Sequence, residues 1–326
     1  MMPLPGSLPA HDCGGTAEFA LTGGAPCRVR IAAVIDPIAL KIGPIGIHWY
    51  GIIIASAVLA AGWVGAREAA RRGEDPDTGW GMLLPVLVLA VIGARLYHVI
   101  HQWGFYSQDP AKIPQIWTGG LGIPGAVAGG VLAIWLYTRW AKLNTLRWFD
   151  IFASAMLLGQ AIGRLGNFVN QELYGPPTTL PWAIPIDAAH RVGEWTNLVA
   201  FPEATTRFHP LFAYEAHLNL VGFVAILWIG RRFASRLYDG DILLIYLMWY
   251  SAVRVWLETF RVENWVILGV PTATWLGIIT FLAAGGLLWL RHRRGWGVPG
   301  AWMAEKRAAE QSRAEPPEPS TEPSAG

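Results

Sequence analysis

The chain has 326 residues, of which 53% are hydrophobic and only 15% charged, with 18 tryptophans and a formal net charge of +2. That balance excludes an ordinary soluble domain, which carries more charge at this length. It points to an all-α polytopic membrane protein with tryptophan and tyrosine for interfacial belts. The net charge itself decides little, because its distribution along the chain matters more than its sum.

Residues 1–36 lack the basic start, apolar core and small-residue cleavage site of a signal peptide. They read as a loose, disordered N-terminal extension, or as the product of an early start codon. The two cysteines, Cys13 and Cys27, both fall there; with no CxxC and no His/Cys cluster, neither zinc nor a disulfide framework is indicated. A bilayer core of roughly 30 Å needs about 20 apolar residues per helix, and shorter runs are tolerated. Spans are expected near 47–66, 82–100, 121–138, 149–165, 211–230, 242–258 and 273–290, which makes about seven transmembrane helices. They define a catalytic or binding domain over 37–294, with a long loop at 166–210. The end of the chain, AEKRAAEQSRAEPPEPSTEPSAG (304–326), is rich in proline, glutamate and alanine with almost no large apolar residue, and 295–326 is expected to be a disordered cytoplasmic tail.

Lysine and arginine in the short loops set the orientation. Arg67, Arg71 and Arg72 follow span one; Arg139, Lys142 and Arg147 follow span three. Arg231, Arg232 and Arg236 follow span five, and RHRR (291–294) follows span seven. The alternate loops are poorer in cations, so the N-terminus is expected outside and the C-terminus in the cytoplasm.

With that orientation, polar residues of six spans converge on one depth. His48 and Tyr50 open span one, Arg95 and His98 lie in span two, and GGLGIPG (119–125) opens span three. Arg164 closes span four, Glu215 and His217 start span five, and Arg254 and Glu258 finish span six. Such sorting points to a shared outer-facing site, since charged side chains near lipid are costly unless a function holds them there.

The residue types suit an anionic phosphate group. Arg164 stands one helical turn before Asn167, and Arg254, Glu258 and Arg261 fall at i, i+4 and i+7, sharing one helix face. Guanidinium forks match phosphate oxygens and are less strongly hydrated than ammonium, and the neighbouring glutamates can hold the arginines in place. No His/Asp/Glu set has metal-ligand spacing. Each piece also has a plainer role. Arg254–Glu258–Arg261 can be a structural ion pair, and Arg95 can reach the interface along its own stem. His48 and His217 can be packing histidines, HPLFAYE (209–215) a proline-bounded helix start, and the glycines of 119–130 helix-packing positions. Asn167 and Asn170 can cap the turn that leaves span four.

GRLGNFVNQELYG (163–175) resembles the signature of the prolipoprotein diacylglyceryl transferase family, G-R-x-G-N-F-x-N-x-E-x-x-G, with every fixed position present. HWYG (48–51), GARLYHV (93–99), WTGGLGIPG (117–125), HPLFAYE (209–215) and RVWLETFR (254–261) agree with it, over roughly residues 34–292. The resemblance implies a seven-span enzyme of the bacterial plasma (inner) membrane with its site facing the outer leaflet. It implies transfer of the diacylglyceryl group of phosphatidylglycerol to the lipobox cysteine thiol of a preprolipoprotein, with release of glycerol phosphate. Partners would be phosphatidylglycerol, lipobox signal peptides and membrane lipid, with no nucleic acid, no metal and no cofactor. Arg164 and Arg254 would hold the phosphate, Asn167 and Glu172 would belong to the same site, and Tyr50, Asn170 and Gly175 match other family positions. Arg95, Glu258 and Arg261 complete the expected substrate-binding set.

The sequence departs from that pattern at one place. Where many members carry a histidine in W-x-G-G-x-x-x-H-G, this chain has Pro124. Activation of the thiol then falls to the arginines, with His209 and His48 as rival candidates for a base. The other function classes are a small-anion transporter, whose marks are glycine-interrupted helices with midplane charges, and a lipid-binding scaffold without catalysis.

Overall fold

The computed structural model describes residues 37–43, 45–261 and 266–314, so the expected extension at 1–36 lies outside the described residues. The chain enters through a hairpin of β1 (Ile38–Ile42) and β2 (Ile45–His48), antiparallel with Ile38 opposite His48, and turns at Gly43 with φ 59°. β2 runs directly into α1 (Trp49–Arg71). α2 (Pro76–His101) begins where the Asp75 carboxylate accepts from the backbone N–H of Asp77 at 3.0 Å, a standard way to satisfy an orphan donor at a helix start. After a short turn, α3 (Trp103–Tyr106), come α4 (Ile123–Trp140) and α5 (Thr145–Val169), the latter capped by Asn144. α6 (Leu211–Arg232) starts after Pro210 and α7 (Asp241–Glu258) after Gly240, whose φ is 100°. A second small hairpin, β3 (Val266–Ile267) with β4 (Val270–Pro271), leads into α8 (Thr272–Arg294). α9 (Ala301–Ala314) follows.

Each of the expected apolar segments falls largely within one of α1, α2, α4, α5, α6, α7 and α8. Among the described residues, four helices (α1, α2, α6 and α8) are long and apolar enough to cross a membrane. Their outward faces are apolar: Leu84, Ile100, Val224 and Leu282 are all well exposed. A surface of this kind suits lipid rather than water. The molecule is therefore mostly helical and consistent with a polytopic membrane protein.

Glycine sets the tightest seam in the bundle. Backbone meets backbone where Gly125 of α4 rests on Gly93 of α2 and Gly129 on Leu89 and Ala90, so any Cβ at these positions would collide with main chain. α5 and α6 pack through Ala153, Leu157 and Ile226, with Ile242 of α7 completing the cluster. At the N-terminal end of α5, Asp150 pairs with Arg72 at 3.0 Å and accepts from the backbone N–H groups of Gly240 and Leu243, so one carboxylate ties α1 and the start of α7 to α5.

Two expectations are corrected here. The chain is not purely α-helical, because the segments entering α1 and α8 pair with themselves as two-stranded ribbons. Nor is 295–326 structureless throughout: α9 is helical, Glu305 bonds Arg147 at 2.7 Å, and Lys306 donates to the carbonyls of Ala70 and Arg71. AEKRAAEQSRA lacks apolar bulk but is built of strong helix formers, and it docks by charge. Residues 315–326 lie outside the described residues.

The segment between α5 and α6 is also built rather than slack. Tyr174, Ile186, Trp195 and Phe208 form a small aromatic core. The buried Arg191 guanidinium donates to the carbonyls of Ile186 and Phe201 and lies 5.1 Å from the Phe208 ring.

Candidate active site

The last turns of α5 deliver Arg164 and Asn167 on one face, and Arg164 Nη1 donates to Asn167 Oδ1 at 3.1 Å. The helix then stops. Asn170 closes it, and Gln171 and Leu173 adopt left-handed φ of 50° and 57°. Neither is glycine, so this turn holds strain of a kind that concentrates at functional loops. Its effect is to swing Glu172 back against the helix end. The Glu172 N–H bonds the Asn167 carbonyl at 2.9 Å, and its Oε1 accepts from Asn167 Nδ2 at 2.9 Å and from Asn170 Nδ2 at 3.2 Å.

On the other side, Arg164 Nη2 pairs with the buried carboxylate of Glu215, on the second turn of α6. An unbroken chain of bonds thus runs Glu215–Arg164–Asn167–Glu172–Asn170. On α7, Arg254 pairs with Glu258 at 3.0 Å across one helical turn. Arg261 lies just past the end of α7; burial, and after it the charge of Arg254, push its guanidinium below its ordinary value, while Glu258 and Glu215 oppose this and Arg164 adds to it. Three arginines and two buried carboxylates therefore share one electrostatic neighbourhood. Arg164 and Arg254 each keep about a quarter of the side chain exposed (26% and 25%), enough to meet a ligand. Glu172 and Arg261 line a cleft of about 240 Å³ together with Tyr174, His190, Glu194 and Trp195, which opens the site toward the 170–210 segment.

The other expected site residues take different places. Arg95 bonds backbone carbonyls of the loop before α4. Its Nε donates to Ile113 O, Nη1 to Gly119 O and Gly120 O, and Nη2 to Lys112 O and Gln115 O. All five of the N–H donors an arginine owns are thus committed to organising the loop before α4. Gly175 is a packing position: its N–H bonds His209 O at 2.9 Å, and a Cβ there would stand 3.1 Å from His209 Cβ and from Leu211 Cγ. The Tyr50 ring lies on Gly166, where a Cβ would come within 2.7 Å of it, so Tyr50 borders the signature helix.

His209 Nδ1 bonds the Tyr214 hydroxyl at 3.1 Å, and that hydroxyl accepts from Trp182 Nε1 at 2.8 Å. His48 is exposed in β2, paired across the hairpin with Ile38. Pro124 sits in the first turn of α4, where proline costs nothing. The glycines before it make room for side chains, Gly120 for His98 and Arg95 and Gly122 for Tyr97.

Sequence reasoning grouped Glu215 with Arg164 but missed that the two pair directly. The signal was present as a lone acid one turn into an otherwise apolar helix, which demands a cation.

Clustered, partly exposed guanidinium groups beside braced carboxylates are residue types that suit an anionic group. The family model described as prolipoprotein diacylglyceryl transferase matches residues 37–290. The chain belongs to that family. Similar proteins include the phosphatidylglycerol–prolipoprotein diacylglyceryl transferase of Chloroflexus aggregans, 39% identical over 266 residues, or 77% of this chain and 87% of the relative. The protein of that name from Geobacillus kaustophilus is 36% identical over 263 residues, covering 80% of this chain and 94% of its own. The one from Streptococcus equi subsp. zooepidemicus is 35% identical over 269 residues, covering 80% and 97%. Every residue of the bonded chain described above, and the Arg254–Glu258–Arg261 face, lies inside the matched region of the diacylglyceryl transferase family.

Proposed function

We propose that this protein transfers the diacylglyceryl group of phosphatidylglycerol to the lipobox cysteine thiol of preprolipoproteins, the first step of bacterial lipoprotein maturation. The observation that carries the reading is the Arg164–Asn167–Glu172 network facing Arg254–Glu258 and Arg261 within a chain of this family. The substrate sulfur attacks the glyceryl carbon that bears the phosphate ester. The carbon–sulfur bond forms, the carbon–oxygen bond breaks, and glycerol phosphate leaves with the bond's electron pair; the thiol proton ends on the released phosphate or in water. Charge on that phosphate grows as the bond breaks, and Arg164 and Arg254 are preorganised to take it up. Such donors are worth on the order of 3–4 kcal/mol, or about a hundred- to thousandfold in rate.

The thiol needs no enzyme cysteine and, on this reading, no histidine. A free cysteine is only a few per cent thiolate near neutrality. A depression of about 1.5 units in its pKa corresponds to roughly 2 kcal/mol of differential stabilisation, which neighbouring guanidinium groups can supply. The enzyme sits in the bacterial plasma membrane as a domain over 37–294, crossing seven times with its N-terminus outside. Its site then lies at the outer leaflet, where an exported signal peptide and the lipid headgroup meet.

Two measurements test this. Purified protein in phosphatidylglycerol vesicles should add one diacylglyceryl group to a lipobox peptide, read by mass spectrometry. Anion uptake into the vesicles without thioether formation would refute transfer. For the topology, cysteines are placed at Thr196 and Gly295 in a background with Cys13 and Cys27 replaced by serine. An impermeant thiol reagent on intact cells should label the first and spare the second; the reverse pattern overturns the orientation.

A further inference from the structure

Directly beneath the Arg164–Glu215 pair lies a second polar tier that the phosphate site does not use. α5 and α6 run antiparallel, and two observations fix their register: Arg164 pairs with Glu215, and Ala153 and Leu157 cluster with Ile226. This register sets Gln160 of α5 against Asn219 of α6, each one helical turn, about 5.4 Å, inward from the ion pair. Asn219 is fully buried, and neither its Nδ2 nor its Oδ1 has a hydrogen-bond partner among the described residues. Gln160 Oε1 and Arg164 Nε are in the same condition, while Gln160 Nε2 donates to the Tyr246 hydroxyl of α7 at 3.0 Å. Farther in, the Trp249 indole lies against Gly222 and the apolar cluster closes the helix pair. The tier therefore ends in an apolar floor, with Arg164 and Glu215 at its upper edge.

Burying a carboxamide without partners is costly, and native interiors avoid it unless something else supplies the bonds. Three unmatched carboxamide atoms on two facing helices, beside an arginine whose own Nε is unmatched, mark a site that a ligand completes. We infer that Asn219 and Gln160 receive the hydroxyl groups of the phosphatidylglycerol headgroup. The chemistry fits at three points. The carboxamides of Asn219 and Gln160 are neutral and offer both donor and acceptor atoms, as an alcohol requires and an anion does not. They adjoin the group proposed to hold the phosphate. The headgroup's hydroxyls, in turn, sit two and three carbons past the ester oxygen, within reach of a tier one turn away. The inference rests on the transferase reading and deepens it: the tier selects a hydroxylated headgroup, and so a leaving glycerol phosphate, over other phosphodiesters.

The experiment compares phosphatidylglycerol with phosphatidylpropanol, the same phosphodiester without the headgroup hydroxyls, as donors to a lipobox peptide. A site built to bond a hydroxyl rejects the analogue that lacks it, so the wild-type protein should prefer phosphatidylglycerol by about tenfold or more. In Asn219→Leu that preference should fall to near unity. Gln160→Met serves as the second variant if the first does not fold. Equal use of both lipids by the wild type overturns the inference while leaving the transferase reading intact. So does an unchanged preference in either folded variant, which marks the tier as packing or hydration alone. Absence of thioether product from either lipid would instead strike the transferase reading itself, and the inference with it.

Discussion

The two ends of the bundle use the same residue types to opposite purposes. At the end where α5 begins, Arg147 is buried and bonds Glu74, Asp239 and Glu305, and Arg72 is locked to Asp150. At the other end, Arg164 and Arg254 have carboxylate partners too, yet keep a quarter of each side chain open. An arginine surrounded by acids on all sides is a rivet. One held by a carboxylate on a single side keeps part of its fork open, and on the transferase reading proposed above that opening takes the substrate phosphate.

The contrast can be broken at either end. The largest expected effect is Asp150→Ala, which strips Arg72 of its buried partner and two backbone N–H groups of their acceptor. Removing one member of a buried pair costs about 3–5 kcal/mol. Thermal unfolding in detergent should drop sharply, while the fraction that remains folded keeps its specific activity. Next comes Arg164→Lys, with a rate loss of roughly a hundred- to thousandfold and an unchanged thermal midpoint, since an ammonium keeps the charge but not the fork. A folded Lys variant with near-normal turnover would place Arg164 with the rivets.

Smaller effects sharpen the picture. A general base typically contributes about 10²–10⁴ in rate. Alanine at His48, His98, His101, His209 or His217, taken singly, should each leave lipidation of a lipobox peptide within about tenfold of wild type. A single histidine as indispensable as Arg164 would restore a base. The smallest change is expected for Glu305→Ala, because Glu305 is 61% exposed and its pair with Arg147 is screened by water. A loss of under about 1 kcal/mol is expected in the unfolding of the full chain, with activity unaffected.

Much of this was legible in the sequence, for identifiable reasons. Apolar runs announce helices whatever their neighbours do, so each expected segment met one. Arg164–Asn167 and Arg254–Glu258 are local pairs at helical spacing, and local spacing can be read without a fold. Arg95 could not be: its five acceptors are backbone carbonyls 17 to 25 residues away, and carbonyls carry no sequence signature. The partner of Arg164 did leave a trace, the lone acid Glu215 in α6, but it lies 51 residues along the chain and local spacing does not pair them. Asn219 and Gln160 are inconspicuous residues that only the α5–α6 register brings together. α9 was missed because absence of apolar bulk was read as absence of structure, although Ala, Glu and Lys favour a helix that charge can dock.

The glycine seam between α2 and α4 bears on how a lipid gets in. Helices that touch through side chains can part a little when rotamers swing, and a gap between them can breathe open for an acyl chain. Gly93, Gly125 and Gly129 leave nothing to swing. Parting α2 from α4 there would mean pulling main chain off main chain, so that stretch of the flank behaves as a wall. On the transferase reading, a lipid arriving from the bilayer would find its doorway where side chains line the gap.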